Sequence, residues 1–206
     1  MKKVIGAVDG FHIPVNKPTH GIKFFNRKHF YFVIQGICKS NNLFSDVDDR
    51  WPGTVHEARV FSISEIYPHG LALCVPDYII GNAAYPCKNW AMTPYTNNGH
   101  LTATYILIIA KIRVKIEYIF ALLLERFRRL TEMLDMNEME NIMSAIIAAC
   151  VLHNICILQM DDNDIEHYIN VCLQNIALIR FLNVNHNDNK RGFQRRDILA
   201  EQLWNR

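Results

Sequence analysis

The sequence has no cysteine pair of the C-x-x-C kind, although it contains six cysteines. The cysteines are widely scattered and lie mostly within apolar runs, which favours reduced core thiols over a disulfide framework. His153 and Cys156 form an H-x-x-C pair, but no second pair completes a tetrahedral zinc site. We therefore expect neither a disulfide-stabilised fold nor a structural zinc.

Long apolar runs are also lacking. The run Tyr105–Ala110 is short, and the run Ser144–Leu158 is interrupted by His153 and Asn154. Neither reaches the roughly 18 to 20 residues that a membrane span requires. The beginning of the chain does not resemble a signal peptide, because its short apolar stretch ends at once in Asp9. We expect an intracellular protein with no membrane segment.

Several catalytic signatures are missing as well. The chain has no glycine-rich phosphate loop, no G-x-S-x-G elbow and no dinucleotide fingerprint. A formal net charge of +2 is too small to indicate nucleic-acid binding by itself, so any such interpretation depends on local clusters of basic residues. Two clusters could contact phosphates or could be solvated surface, and a third is better interpreted as solvated surface. The first two are Lys23, Arg27, Lys28 and Arg126, Arg128, Arg129; the third is Lys190, Arg191, Arg195 and Arg196.

The first part of the chain is rich in predicted strands. With 206 residues, half of them apolar, the chain is long enough for one domain with a sizeable core. Short β-branched and aromatic segments predict strands, Ser40-Asn41-Asn42 predicts a hairpin turn, and Thr54 is a candidate N-cap for a helix that runs to about Ile66. The predicted strands are Val4–Val8, Phe30–Cys38, Leu43–Asp48 and Tyr78–Gly81.

The second part is predicted to be helical. Apolar residues at spacings of three and four predict an amphipathic helix from about Ala110 to Leu130. A second helix, Glu138–Leu158, is apolar nearly all round, so we expect it to be buried. A third helix is predicted at Ile165–Phe181, followed by a polar linker, Asn183–Gly192, and a short charged tail helix. We expect a domain over residues 1–158 and a helical extension of uncertain status over 159–206.

Four oxygen-bearing residues lie at informative points of this order: Asp9, Glu57, Asn82 and Glu117. A mixed sheet with flanking helices, with Asp9 at the end of the first strand and Asn82 at the end of a later one, is the α/β layout of a ribonuclease H-like core. Ligands of open α/β sheets gather where strands end. Each residue also has a plain structural interpretation. Asp9 could be a strand-to-turn residue, Glu57 a first-turn helix residue and Asn82 a turn former. Glu117 could be a helical surface partner of Arg113.

Seven segments in order resemble the DDE superfamily-4 endonuclease domain of PIF/Harbinger-type transposases and the nucleases derived from them. The similarity spans nearly all of residues 4–158. The segments are VDGFHIP (Val8–Pro14), FNRKHFY (Phe25–Tyr31), RWPGTVHEARVF (Arg50–Phe61), IIGNAAYP (Ile79–Pro86), MTPY (Met92–Tyr95), IRVKIEYIFALLLERFRRL (Ile112–Leu130) and AACVLHNIC (Ala148–Cys156).

This resemblance implies a divalent-metal site, Mg²⁺ or Mn²⁺, with Asp9, Glu57, Asn82 and Glu117 at the ligand positions. Asp9, Asn82 and Glu117 occupy the catalytic positions, and the separation of 35 residues from Asn82 to Glu117 resembles the D-35-E spacing of DDE enzymes. Hard cations prefer oxygen ligands, and two of them can stabilise the attacking and leaving oxygens of a phosphodiester. The family has Asp where this chain has Asn82, so we predict greatly reduced or absent strand cleavage.

The resemblance implies DNA as the substrate, a nuclear location with the cytoplasm as a second one, and a separate DNA-binding partner protein. Full-length transposases of this type carry a helical region before the first strand, so the chain is expected to be truncated, fragmentary or reduced to the catalytic fold. The leading interpretation is a transposase-derived DNA endonuclease impaired by Asn82. The alternative is a catalytically inactive, domesticated remnant that binds DNA or a protein partner, and an unexpressed pseudogene product is a third interpretation.

Overall fold

The computed structural model describes residues 3–16, 30–95, 100–132, 134–136, 138–159 and 193–199. Four sequence-based predictions lie outside these residues: the helix 165–181, the linker 183–192, the thiol of Cys172 and the first basic cluster. Lys190 and Arg191 of the third basic cluster lie outside them too.

A five-stranded mixed sheet forms the centre of the molecule, in the order β3-β2-β1-β4-β5. The first three strands are antiparallel neighbours, whereas β4 is parallel to β1 and β5 is parallel to β4. This α/β arrangement with flanking helices is the predicted ribonuclease H-like fold. The strands are β1 (Val4–Val15), β2 (Phe30–Cys38), β3 (Phe44–Pro52), β4 (Tyr78–Ile80) and β5 (Ala91–Met92).

The predicted hairpin between β2 and β3 is confirmed. Asn42 has a φ of 65°, the left-handed conformation that Asn tolerates better than most residues. The backbone N–H of Asn42 donates to the carbonyl of Lys39 at 3.2 Å, and the N–H of Lys39 donates to the carbonyl of Leu43 at 3.0 Å. The turn fixes the register of two strands that the chain could otherwise pair in several ways.

Asp9 lies in the middle of β1, so the prediction that it ends the first strand is wrong. Antiparallel pairing with β2 continues beyond Asp9 as far as Val15, which lies opposite Phe30. Pairing with the parallel neighbour β4 stops at Ala7, which lies opposite Ile80. Asp9 is therefore two residues beyond the end of that parallel pairing, and the end of β4 brings Asn82 close to it.

Two helical layers cover the sheet. Helices α1 (Glu57–Ile63) and α2 (Ile66–Cys74) pack on one face, where Val8 and Phe61 are fully buried. Helices α3 (His100–Arg126) and α4 (Met139–Leu158) cover the other, where Ile13 and Leu123 are fully buried. Successive strand residues point to opposite faces, so Asp9 projects from the side of β1 that faces α3, together with Ala7 and Ile13.

The helix predicted from Thr54 to about Ile66 corresponds to α1, which is shorter at both ends, and α2 was not predicted. Thr54 lies in a turn closed by the hydrogen bond from the N–H of Val55 to the carbonyl of Pro52, at 2.9 Å, and the N-cap of α1 is His56. Helix α1 ends before Ser64, which has an extended backbone and whose hydroxyl donates to the carbonyl of Phe61 at 2.7 Å. Serine side chains compete in this way with helical hydrogen bonding.

Helix α4 was expected to be buried, and this is wrong for its outer face. Ile142, Ile146 and His153 are fully buried against the sheet and α3, whereas Val151 and Leu158 are 52% and 68% exposed. A helix on one side of a sheet buries only one stripe, although this sequence is apolar all round. By length and composition alone, α4 is the one helix of the described residues that could span a membrane, and 28% of it is buried in the fold.

The short helical segment 193–199 packs against the ends of β4 and β5. Arg195 and Arg196 are each only 7% exposed, so their interpretation as solvated surface is wrong. Arg195 donates to the carbonyl oxygens of Asp77 and Asn89, and Arg196 stacks over the ring of Tyr95 with 3.9 Å between its Cζ atom and the ring centroid. These arginines bind backbone carbonyls and an aromatic ring instead of solvent.

Candidate nuclease site

Three of the four predicted site residues form a hydrogen-bonded cluster. The side-chain Nδ2 of Asn82 donates to Oδ1 of Asp9 at 3.0 Å and to Oε2 of Glu57 at 2.9 Å. Asp9 is 7% exposed, and its Oδ1 also accepts the backbone N–H of Gly10 at 3.0 Å. Residues 73 and 25 positions apart in the chain therefore meet at one point, as the sequence interpretation required.

The amide of Asn82 has a defined orientation. Its Oδ1 accepts the backbone N–H of Ala84 at 2.6 Å, which forms the local turn typical of Asn. Rotating the amide would direct its oxygen at two carboxylates and its NH₂ group at a backbone N–H, so the hydrogen-bond network fixes the assignment. Asn82 is thus both a turn former and a member of the acidic site, with its donor half directed at the acids.

Glu57 reaches the cluster from the first position of α1. Its carboxylate is favourably placed there with respect to the helix dipole. Its side chain crosses directly over Gly10, because a Cβ atom at residue 10 would lie 2.9 Å from Cγ of Glu57. Glycine at position 10 therefore leaves the space through which Glu57 approaches Asn82.

Glu117 joins the site through Arg113 on the same helix. Nη2 of Arg113 lies 3.0 Å from Oε1 of Glu117 and 3.5 Å from Oδ2 of Asp9. The helical pair expected between residues 113 and 117 is present, and the same guanidinium also contacts Asp9. All four predicted residues therefore belong to one continuous network.

Burial raises the pKa of all three carboxyl groups. The pKa of Asp9 is raised by its removal from water, against the attraction of Arg113. Burial also raises the pKa of Glu57, and the negative charge of Asp9 adds to that shift. The pKa of Glu117 is raised for the same two reasons and lowered by Arg113. Clustered acids in a poorly solvated place disfavour their own ionisation unless a cation or donors compensate.

The donor set fits a divalent cation only in part. Three carboxylates are ligands that Mg²⁺ and Mn²⁺ prefer. Asn82, however, directs an N–H group at Asp9 and Glu57, and Arg113 lies between Asp9 and Glu117. Within the described ranges, no three His, Cys, Asp or Glu side chains are grouped as a metal site. The carboxylates of the site therefore suit the ion, whereas the donors of Asn82 and Arg113 oppose its binding.

The model of the DDE superfamily endonuclease family matches residues 8–154, which include all four site residues. The chain belongs to this family. "Protein ALP1-like" of Arabidopsis thaliana is 24% identical over 190 residues, covering 78% of this chain and 44% of the relative. "Putative nuclease HARBI1" of Homo sapiens is 27% identical over 165 residues, covering 75% of this chain and 46% of the relative. "Putative nuclease HARBI1" of Bos taurus is 27% identical over 164 residues, covering 74% of this chain and 45% of the relative. The chain spans less than half the length of these relatives, and no solved structure matches it.

Two residues of this DDE endonuclease domain were not among the predicted site residues. Arg113 was considered only as a partner for Glu117, and its contact with Asp9 depends on tertiary structure. Tyr85 is 1% exposed, its hydroxyl has no hydrogen-bond partner among the described residues, and its pKa is raised well above the usual value by burial and by the charges of Glu57 and Asp9. The tyrosine three positions after Asn82 in the G-N-A-A-Y segment was the available signal for it.

The second basic cluster lies where α3 of the DDE endonuclease domain ends. Arg128 and Arg129 are 79% and 63% exposed and pair with Glu125 at 3.1 Å and Glu132 at 3.5 Å. Such exposed pairs are weak, contributing about 0 to 1 kcal/mol, so a phosphate could displace either acid. Arg128 and Arg129 are therefore accessible but partly neutralised by their neighbours, whereas Arg126 is half-buried.

Proposed function

We propose that this domain is a transposase-derived DNA endonuclease whose strand cleavage is greatly reduced or absent. One observation carries the proposal: the NH₂ group of Asn82 donates to both Asp9 and Glu57. Aspartate at this position would offer oxygen and negative charge, whereas the amide offers a hydrogen-bond donor. A divalent cation would lose one ligand and meet a positively polarised group in its place.

With an amide at position 82, the carboxylates are the groups of the site that can still take part in hydrolysis. A bound divalent cation would supply Lewis acidity toward a phosphodiester. Asp9 and Glu57 present oxygens to the same point, and both are held by the donors of Asn82 instead. The carboxylates are thus already in position, but hydrogen-bond donors compensate the negative charge that a cation would need. This supports slow or absent hydrolysis.

The decisive experiment compares DNA cleavage by the wild type and Asn82→Asp with Mg²⁺ and with Mn²⁺. We expect the Asp variant to cleave at least roughly 100-fold faster, since loss of even an outer-shell partner of a metal costs 10- to 100-fold. The double variant Asp9→Asn with Asn82→Asp is the matched control, because it restores one acid and removes another. Equal cleavage by the wild type and Asn82→Asp would refute the proposal.

The second candidate is an inactive remnant that binds DNA or a protein partner through the same fold. The observation favouring it is that Arg113 and Asn82 already compensate the acids without a metal. Calorimetry of Asn82→Asp with millimolar Mg²⁺ separates the two candidates, because the impaired nuclease should bind the ion in this variant whereas the remnant binds none. Absence of cleavage by Asn82→Asp, together with absent metal binding, would favour the remnant.

DNA is the ligand we propose in both cases, with a nuclear site of action. Arg128 and Arg129 are the described residues that we expect to contact phosphates. Replacing both by Gln should lower the slope of log affinity against log salt concentration by about 2, since each contact contributes about 1. Lys39→Gln, which removes an exposed charge from the hairpin, is the control. An unchanged slope would exclude this surface as the DNA contact.

A further inference from the structure

We propose that Arg113 is a resident counter-cation of the acidic site, which competes with divalent metals for Asp9 and Glu117. This inference rests on the proposed function only in taking the acidic site as the place where a metal would bind. It concerns a side chain that neither the family resemblance nor the position of Asn82 singles out.

The geometry of the contacts is the first argument. A single nitrogen, Nη2 of Arg113, lies 3.0 Å from Glu117 and 3.5 Å from Asp9. One cation is therefore shared between the first and last acids of the site. A metal that bridges or approaches both carboxylates needs the space that this nitrogen occupies, and two cations so close together repel each other.

The way in which Arg113 is held is the second argument. Its side chain is 17% exposed, and its Nε is buried without a hydrogen-bond partner in the part of the chain that the structure describes. Arginine at a structural site usually satisfies several of its five donors in a fixed fork. Here the hydrogen bonds that Arg113 donates within the described residues go to the two carboxylates, which therefore hold the guanidinium in place.

Arg113 also acts on acids outside its own helix. Arg113 contacts both Asp9 and Glu117, and Asp9 shares the amide of Asn82 with Glu57. Arg113 is thus linked to the whole acidic set and not to its helical neighbour alone. Asn82 adds two neutral donor contacts, so the fold tolerates the three acids without a metal.

The test measures thermal unfolding of the full chain in EDTA and in millimolar Mn²⁺, for the wild type, Arg113→Gln and Arg113→Lys. We expect the wild-type unfolding temperature to be unaffected by metal. Arg113→Gln should unfold at a lower temperature in EDTA, because three acids lose their cation, and Mn²⁺ should restore it. Arg113→Lys keeps the charge on a more flexible stem and should lie between the two.

The matched control is Arg128→Gln, which removes an exposed arginine that also pairs with a glutamate three residues away. It should show no metal-dependent shift. A purely structural role for Arg113 predicts a loss of stability that Mn²⁺ does not restore, and that result would overturn the inference. Calorimetry should show Mn²⁺ affinity roughly tenfold or more higher in Arg113→Gln than in the wild type.

The outcomes also separate this inference from the proposed function. Metal-dependent stability of Arg113→Gln with no cleavage by Asn82→Asp supports the role of Arg113 and refutes the nuclease proposal. Cleavage by Asn82→Asp with no metal effect in Arg113→Gln does the reverse. Should Arg113→Gln fail to fold under either condition, the Mn²⁺ affinity of Arg113→Lys decides, and a value equal to that of the wild type overturns the inference.

Discussion

Asn154 forms a reciprocal pair of hydrogen bonds with the backbone of Phe44. Its Oδ1 accepts the N–H of Phe44 at 2.9 Å, and its Nδ2 donates to the carbonyl of Phe44, also at 2.9 Å. The amide thus pairs with the first residue of β3 as a neighbouring strand would. Next to it, Nε2 of the buried His153 lies 3.2 Å from the carbonyl of Asn42 in the hairpin turn.

Replacing Asn154 by Ala should lower the free energy of unfolding by about 1 to 3 kcal/mol, because two backbone groups of β3 lose their partner. Urea denaturation measures this loss. Asn141→Ala, on an exposed part of α4, is the matched control and should change stability by less than about 0.5 kcal/mol. Equal midpoints for the two variants would contradict a role for Asn154 in joining α4 to the hairpin.

Local patterns in the sequence were sufficient for β2 and α4, but not for the full length of β1 and β3 or for contacts between distant segments. The ends of β2 are as predicted because β-branched and aromatic residues stop where the turn residues begin. Helix α2 was not predicted, and the end of α1 at Ile63 depends on a side-chain hydrogen bond of Ser64. The outer face of α4 was expected to be buried because an apolar composition does not state which faces have neighbours.

The sequence predicted which residues lie at the site, but not the contacts between them. Motif order identified Asp9, Glu57, Asn82 and Glu117, since each lies in a recognisable segment. Sequence spacing could pair Arg113 with Glu117 at one helical turn, but it could not show that the same guanidinium reaches Asp9, 104 residues away. Likewise, the donor half of Asn82 could point at the acids or away from them until the turn at Ala84 was known.

Replacing Arg195 by Ala should destabilise the fold by about 1.5 to 3 kcal/mol, because backbone carbonyls just before β4 and β5 lose a charged donor. Thermal unfolding of the full chain measures this effect. Arg129→Ala removes an arginine that is 63% exposed and serves as the control. If both variants unfold at the wild-type temperature, segment 193–199 does not support the fold.

Replacing Asn82 by Ala should cost about 1 to 3 kcal/mol of stability, because Asp9, Glu57 and the N–H of Ala84 all lose a partner. Asn82→Asp should also be less stable than the wild type in EDTA at neutral pH, since it adds a charge to buried acids. Lowering the pH should reduce the deficit of the Asp variant but not that of the Ala variant. Chemical denaturation at two pH values gives this comparison.

Two buried groups near α4 oppose each other in the pH dependence of stability. Burial raises the pKa of Asp49 to about 6, and its Oδ2 has no hydrogen-bond partner in the described structure. Burial lowers the pKa of His153 to about 4. Raising pH from 4 to 6 therefore costs stability through Asp49, whose folded form retains its proton longer. Raising pH from 4 to 6.5 adds stability through His153, because the imidazole binds more protons in the unfolded state than in the folded state over this range.

Each contribution is about 3 kcal/mol at most, from shifts of roughly two units at 1.36 kcal/mol per unit. The two nearly offset each other in the wild type, so Asp49→Asn should expose the dependence on His153. We expect the difference in unfolding free energy between variant and wild type to grow by up to about 3 kcal/mol from pH 4 to pH 7. Urea titrations at both pH values measure it. A difference that stays constant with pH would mean that the carboxyl group of Asp49 is ionised normally in the folded protein.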